Sequence, residues 1–263
     1  MLAFRVTFFQ HIFMHEETIS FNNRCGKALS GVLHHPTEKG ARGAVILCHG
    51  MESNKESDKL VLLGQALAQR GLLALRFDFA CAGPAGKFED ITYSGEVEDL
   101  RDAFSFVRDR HPGKIAILGS SMGGTVALLF AAQEPTVAAL VTIAAPAHPE
   151  AFPSRILTPA QLQQWRETSY TFYHGQRLNV SLLYDLEKIN VLDVARKISC
   201  PVLILHGDSD EVVPVEEAHE LHAYLSGPKK LSILEGADHR LSDATVMKRA
   251  LTDAIEWLCA RVG

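Results

Sequence analysis

The sequence predicts an α/β fold: a mostly parallel sheet of eight strands with helices packed on both faces. Three observations predict it. Short apolar runs bounded by turn residues alternate with longer helix-forming stretches, the pattern of βα units. Those runs are nearly free of polar residues, as strands covered on both faces are. The residues able to do chemistry fall just past the ends of the runs, where open α/β sheets bind ligands. At 263 residues, 47% hydrophobic and 22% charged, the chain can bury a full core as one domain.

Taken in order, residues 1–13 carry Phe4, Phe8, Phe9 and Phe13, interrupted by Arg5. No small-residue cleavage site follows, and the run is too short to span a bilayer. It is expected to be an appendage or an upstream misassigned start. Residues 17–21 and 28–34 read as an opening β-hairpin. Strands follow at 44–48, 72–77, 114–118, 139–143, 202–206 and 231–234, with helices at 58–70, 95–110, 125–133, 215–225 and 243–260. The core is therefore expected in 14–145 and 200–263. The stretch 146–199 is far longer than a crossover helix needs and is expected to be an inserted cap over the active site. It holds Phe152, Trp165, Tyr170, Phe172, Tyr173 and Tyr184, aromatics that suit either a pocket wall or the cap's own small core. Trp165 and Tyr173 are taken as candidate substrate-binding residues. The mixed charges from Glu96 to Asp102 are expected to form a solvated helix face.

Gly119-Ser120-Ser121-Met122-Gly123-Gly124 joins the apolar run 114–118 to the helical stretch 125–133. A strand, a sharp turn and a helix are what a G-x-S-x-G nucleophile elbow requires, and the spacing puts Ser121 at its tip. Glycines two before and two after remove side chains that would collide where the strand doubles back. The pattern alone arises by chance in roughly one chain in ten of this length, so the context carries the case. Ser120 is the neighbouring candidate, but Gly119 and Gly123 frame Ser121. Upstream, the run 44–48 leads straight into His49-Gly50-Met51, a turn that can aim backbone amides outward. The backbone N–H groups of Met51 and Met122 are the expected oxyanion donors. His49 reads as structural.

A serine hydroxyl needs an imidazole to take its proton, and the imidazole needs a carboxylate to fix its tautomer. Strand 202–206 ends in His206-Gly207-Asp208-Ser209-Asp210, and strand 231–234 closes in Glu235-Gly236-Ala237-Asp238-His239. Ser121, Asp210 and His239 occur in the order serine, acid, histidine, which is that of the α/β-hydrolases. Asp208 could also reach an imidazole, although directly after Gly207 it is better placed to cap the turn.

The segments His49 to Ser57, Arg76-Phe77-Asp78-Phe79, Gly86 to Asp90, Gly119 to Gly124, His206 to Pro214 and Glu235 to Asp243 resemble small bacterial α/β-hydrolases that include cinnamoyl (feruloyl) esterases. They are also similar to serine aminopeptidase-like hydrolases. The likeness runs from about residue 43 to 258, apart from a stretch in the middle. It implies an α/β-hydrolase fold, the acid at the last position of G-x-x-D, here Asp210, and the base in a G-A-D-H turn, here His239. After Arg76 to Phe79 the chain departs from the family: Ala80-Cys81-Ala82-Gly83-Pro84-Ala85 replaces a Gly-rich polar loop that normally borders the acyl pocket. Cys81 is thus a candidate substrate-binding residue, with a small loop side chain as the plainer reading.

The expected activity is that of a serine hydrolase, a carboxylesterase for small or aromatic acyl esters. Alternatives are a peptidase acting on small peptides and a non-catalytic binding module on the same scaffold. The chemistry requires no cofactor and no metal. A net charge of −5 gives no sign of nucleic acid or of an anionic membrane surface, leaving a small-molecule ester and at most a homodimer as partners. Five cysteines without C-x-x-C or metal-ligand spacing point to a reducing cytoplasm.

Overall fold

Five strands of the sheet are mostly apolar and are almost wholly buried on both faces. They are β3 (Ala44–Cys48), β4 (Leu73–Phe77), β5 (Ile115–Ser120), β6 (Val137–Ile143) and β9 (Val202–Gly207). In the computed structural model, which describes residues 15–36, 40–83 and 86–263, these strands run parallel and side by side. The hairpin of β1 (His15–Asn22) and β2 (Ala28–His35) joins one edge through β2 and β4, antiparallel. The parallel strand β10 (Lys229–Leu234) closes the other edge. The order is β1-β2-β4-β3-β5-β6-β9-β10, the eight strands and mixed directions that the sequence predicts. The edge strand β1 carries His15, Glu16 and Glu17 outward, charges and polar groups that discourage pairing with another chain. The expected appendage at 1–13 lies outside the described residues.

Side-chain alternation sorts the core into two layers. Val45 and Leu47 of β3 face α1 (Asp58–Gln69) and α9 (Ala244–Val262), with Leu63, Leu67, Ala254 and Leu258 in that layer. Ala44, Ile46 and Cys48 point the other way, towards α2 (Tyr93–Arg110), α3 (Met122–Ala131) and α8 (Val215–Tyr224). Helix α2 starts two residues before the predicted start, because the Thr92 side chain accepts the Gly95 N–H and caps the first turn. Asp243 caps α9 in the same manner, accepting from Thr245 and Val246.

Between β6 and β9 the chain forms α4 (Phe152–Ile156), α5 (Pro159–Thr168), a hairpin of β7 (Tyr170–Tyr173) and β8 (Gln176–Asn179), then α6 (Val180–Leu186) and α7 (Val191–Ala195). The hairpin turn is His174-Gly175, both left-handed at φ 47° and 79°, which gives the two-residue connection the twist that paired strands need. Leu178, Leu182, Leu186, Val191 and Trp165 share the apolar cluster of the α2–α3 layer, so this excursion packs as part of the body.

One expectation fails. Glu96 and Asp99 are buried rather than solvated. Asp99 accepts hydrogen bonds from Asn23 Nδ2 and the Ala80 N–H, both at 2.7 Å, and Glu96 accepts from the Cys81 thiol. A run of alternating charge conceals such inward-facing members because a helix needs only every third or fourth residue on its buried face.

Among the described residues no helix is long and apolar enough to cross a membrane. At the carboxyl ends of β9 and β10, two loops are held against each other by Ser209 N–H to Ala237 O (3.1 Å) and Gly236 N–H to an Asp208 oxygen (2.7 Å). A Cβ on Gly207 would overlap the Ala237 carbonyl. Gly207→Ala should therefore behave as an overpacked site, costing about 1–3 kcal/mol and lowering the melting temperature by roughly 2–12 °C. An unchanged melting temperature would show that the loops can part freely.

Candidate active site

Ser121 occupies the turn between β5 and α3 with φ 53° and ψ −126°, a conformation that side chains with a Cβ rarely adopt. Its surroundings impose it. The Ser121 N–H donates to Ile143 O at 2.7 Å, and the Gly124 N–H donates back to Ser121 O at 2.8 Å. A Cβ on Gly119 would overlap the Gly123 carbonyl, one on Gly123 would overlap the His49 carbonyl, and one on Gly124 would stand 2.7 Å from Ala145 Cβ. Gly119 and Gly123 are thus required by backbone contact, and Gly124 by the Ala145 side chain. Ser120 points elsewhere: its hydroxyl accepts from Lys59 Nζ at 3.3 Å.

The geometry brings the three residues named from the sequence together. Ser121 Oγ lies 3.0 Å from His239 Nε2, and His239 Nδ1 lies 2.8 Å from Asp210 Oδ2. Since a carboxylate only accepts, Nδ1 carries the imidazole proton and Nε2 is left bare to receive one from the serine. Asp210 Oδ1 also accepts the N–H groups of Val212 (2.9 Å) and Val213 (2.8 Å). Burial by itself would push the Asp210 carboxyl up. Hydrogen bonds from His206, His239 and Val213 outweigh it and hold the group well below the usual carboxylate range. Asp208 turns away, accepting from the Ser209 hydroxyl and the Gly236 N–H.

The His49-Gly50-Met51 turn lies against the elbow, and a Cβ on Gly50 would stand 3.2 Å from Ser121 Cβ. Met122 opens α3, where a helix leaves its first N–H groups without intrahelical acceptors. His49 is structural: its Nε2 accepts the Phe79 N–H at 3.2 Å, Nδ1 lies 2.8 Å from Gly50 O, and burial lowers its pKa. Arg76 and Asp78, whose part the sequence does not disclose, anchor the rest of this loop. Asp78 accepts both the backbone N–H and the Nζ of Lys55 at 2.7 Å, while Arg76 Nη1 donates to Lys55 O at 2.9 Å and to Glu56 at 2.6 Å. Two charged residues at the end of a buried strand are the signal that points to such an anchor.

The remaining candidates separate. Tyr173, at the tip of the β7–β8 hairpin, is half-buried, edge-on to Phe152 with ring centroids 5.3 Å apart. The adjoining His174 reaches Glu52 at 3.0 Å, tying the excursion to the residue after Met51. Trp165 is instead fully buried in the apolar cluster, its ring a packing element. Cys81 faces a cavity of about 190 Å³ lined also by Asn23, Ile91, Glu96 and Asp99. Burial and the neighbouring Glu96 and Asp99 push its thiol far up, which removes thiolate chemistry. A larger hollow of about 400 Å³, lined by His148, Glu187, Asn190, Arg196 and Tyr224 among others, contains no member of the serine–histidine–aspartate set. Among the described residues no group of three or more His, Cys, Asp or Glu is arranged to hold a metal ion.

The chain matches the family described as serine aminopeptidase, S33, over residues 39–183. Mouse mitochondrial palmitoyl-protein thioesterase ABHD10 is 27% identical over 215 residues, covering 78% of this chain and 71% of the relative. The esterase domain of a Rhodothermus marinus protein superposes with a TM-score of 0.76 at 27% identity, covering 95% of this chain and all of that one. Est1E from Butyrivibrio proteoclasticus, solved with ferulic acid, shares the fold at a TM-score of 0.84 and 24% identity, over 93% of this chain and 99% of its own. The chain belongs to the serine aminopeptidase S33 family and is an α/β hydrolase.

Proposed function

We propose that the protein is a serine hydrolase that cleaves carboxylic esters of small or aromatic acyl groups through an acyl-enzyme on Ser121. One observation carries this reading: the continuous contact from Ser121 Oγ through His239 to Asp210, at 3.0 and 2.8 Å, with the serine on a strained turn at a helix start. His239 takes the Ser121 proton as the hydroxyl attacks the ester carbonyl. The N–H groups of Met51 and Met122 receive the oxyanion, and the positive end of α3 adds to its stabilisation. The imidazolium then protonates the leaving alcohol, and water repeats the steps on the acyl-enzyme. Esterase and thioesterase relatives favour oxygen or sulfur esters. A peptidase for small peptides is the second reading, favoured by the family's own description. An amide bond asks for a better-protonated leaving group, so a panel of matched ester, thioester and peptide substrates separates the readings by kcat/KM.

Ser121→Ala should abolish turnover and fluorophosphonate labelling with folding intact, while Ser120→Ala keeps both. Labelling that survives Ser121→Ala and disappears with Ser120→Ala would overturn the assignment.

Asp210→Asn should lower kcat by roughly 10⁴-fold, because an amide holds the imidazole in the wrong tautomer. Asp208→Asn should leave kcat close to wild type and lower the melting temperature; the opposite ranking of the two kcat values would move the acid. Stability follows the depressed Asp210 pKa. Its contribution is complete above the unfolded value of about 4 and is lost as pH falls towards the folded value. The stability gap between wild type and Asp210→Asn should therefore narrow on acidification below about pH 4, as measured by thermal melts.

Tyr173→Ala should change kcat/KM among bulky acyl esters by about 1–3 kcal/mol relative to the acetate. Trp165→Ala should chiefly lower stability, by about 3–5 kcal/mol. A Tyr173→Ala variant with equal losses on every ester would remove that residue from substrate selection.

A further inference from the structure

The acid of the proposed relay touches a second histidine. His206, near the end of β9, has a side chain as fully buried as that of Asp210. Its Nε2 lies 2.9 Å from Val213 O and 3.4 Å from Asp210 Oδ2. A carbonyl oxygen only accepts, so Nε2 carries a proton directed to Val213 O, with Asp210 Oδ2 close beside it. Nδ1 is buried and has no hydrogen-bond partner among the described residues, and an N–H there would be an orphaned donor in the core. The contacts therefore select the Nε2–H tautomer.

We propose that His206 is a positioning residue for the acid: its Nε2–H, with the N–H groups of Val212 and Val213, fixes the Asp210 carboxylate in the rotamer that meets His239 and draws charge from it. The strength with which His239 holds the serine proton is then set partly from behind, by a residue that never meets substrate. The inference rests on the serine-hydrolase reading above. The sheet neighbours at this level, Ile143 opposite Leu205 and Ile233 opposite His206, bring no charge. The charged groups around the pair are Lys59 from α1, Glu211, whose carboxylate accepts the His239 backbone N–H, and Asp238 and Arg240 beside His239.

His206→Met removes the donor. Asp210 becomes more basic, the His239 imidazolium is better stabilised, and the acid limb of the kcat/KM profile should move up by about half a pH unit. On an aryl acetate kcat should fall about tenfold with KM little changed. His206→Gln can place an amide N–H near the position of Nε2 and should restore the wild-type limb. A folded His206→Met variant with the wild-type limb and kcat, or a Gln variant that behaves like Met, would overturn the proposal. Histidine ¹⁵N NMR of the wild-type protein at about pH 8, where unperturbed imidazoles are neutral, tests the contact without relying on the variants. His206 should show the Nε2–H tautomer and shift on Asp210→Asn but not on Asp208→Asn, whereas an Nδ1–H tautomer overturns the proposal. A wild-type protein that neither hydrolyses esters nor labels with fluorophosphonate would instead count against the hydrolase reading, and the tautomer would then decide the His206 contact alone.

Discussion

Backbone lying directly on backbone is the constraint on which the site depends. Gly123 rests against the His49 carbonyl, Gly119 against the Gly123 carbonyl, and Gly50 against Ser121. Without these approaches the elbow and the His49-Gly50-Met51 turn could not share one small volume. The left-handed Ser121 is the consequence. A conformation that costs of order 1–3 kcal/mol in isolation is held here by the Ser121 N–H to Ile143 O bond and by the helix that starts at the next residue.

A second layer of polar ties keeps that volume in place. Asp78 and Arg76 extend from the end of β4 and grip the backbone of the loop 50–57 through Lys55 and Glu56. On the opposite side the β9 and β10 loops are locked by Asp208, so that Asp210 and His239 meet. The two aspartates, two residues apart, divide the work by the donors they face. Asp208 is exposed and caps a turn, whereas the Asp210 side chain, withdrawn from solvent, accepts two backbone N–H groups and lies against two imidazoles. Low dielectric makes each of those bonds stronger, and it makes an unpaired partner correspondingly expensive.

The sequence made the sheet, its flanking helices and the serine–acid–histidine set legible because each is written locally. Apolar runs end at turn residues, glycines bracket one serine, and a carboxylate and a histidine follow two further strand ends. What stayed hidden depends on contacts between distant segments. Glu96 and Asp99 look like surface charges until the Ala80–Cys81 loop and Asn23 are folded over them. The role of Arg76 and Asp78 lies in a loop some twenty residues away. Trp165 suits a core and also a pocket wall by its residue type, and only its neighbours decide between them. The β7–β8 hairpin was present as Tyr173-His174-Gly175-Gln176, but its strands are too short and too exposed to stand out from the surrounding helical stretches.

The excursion between β6 and β9 is tied to the rest of the molecule by two different kinds of contact. Its inner side chains belong to the same apolar cluster as α2 and α3, so its base moves with the sheet. Its tip is held by polar contacts, His174 to Glu52, Arg177 to Glu89 and Asn179 to Asp90, together with the edge-on packing of Tyr173 on Phe152. Exposed polar pairs of this kind contribute only about 0–1 kcal/mol each, far less than the burial beneath them. The excursion therefore depends for its place on its inner apolar face more than on the ties at its tip. Because Glu52 follows Met51, the His174 contact joins that tip to the residue next to the proposed oxyanion donor.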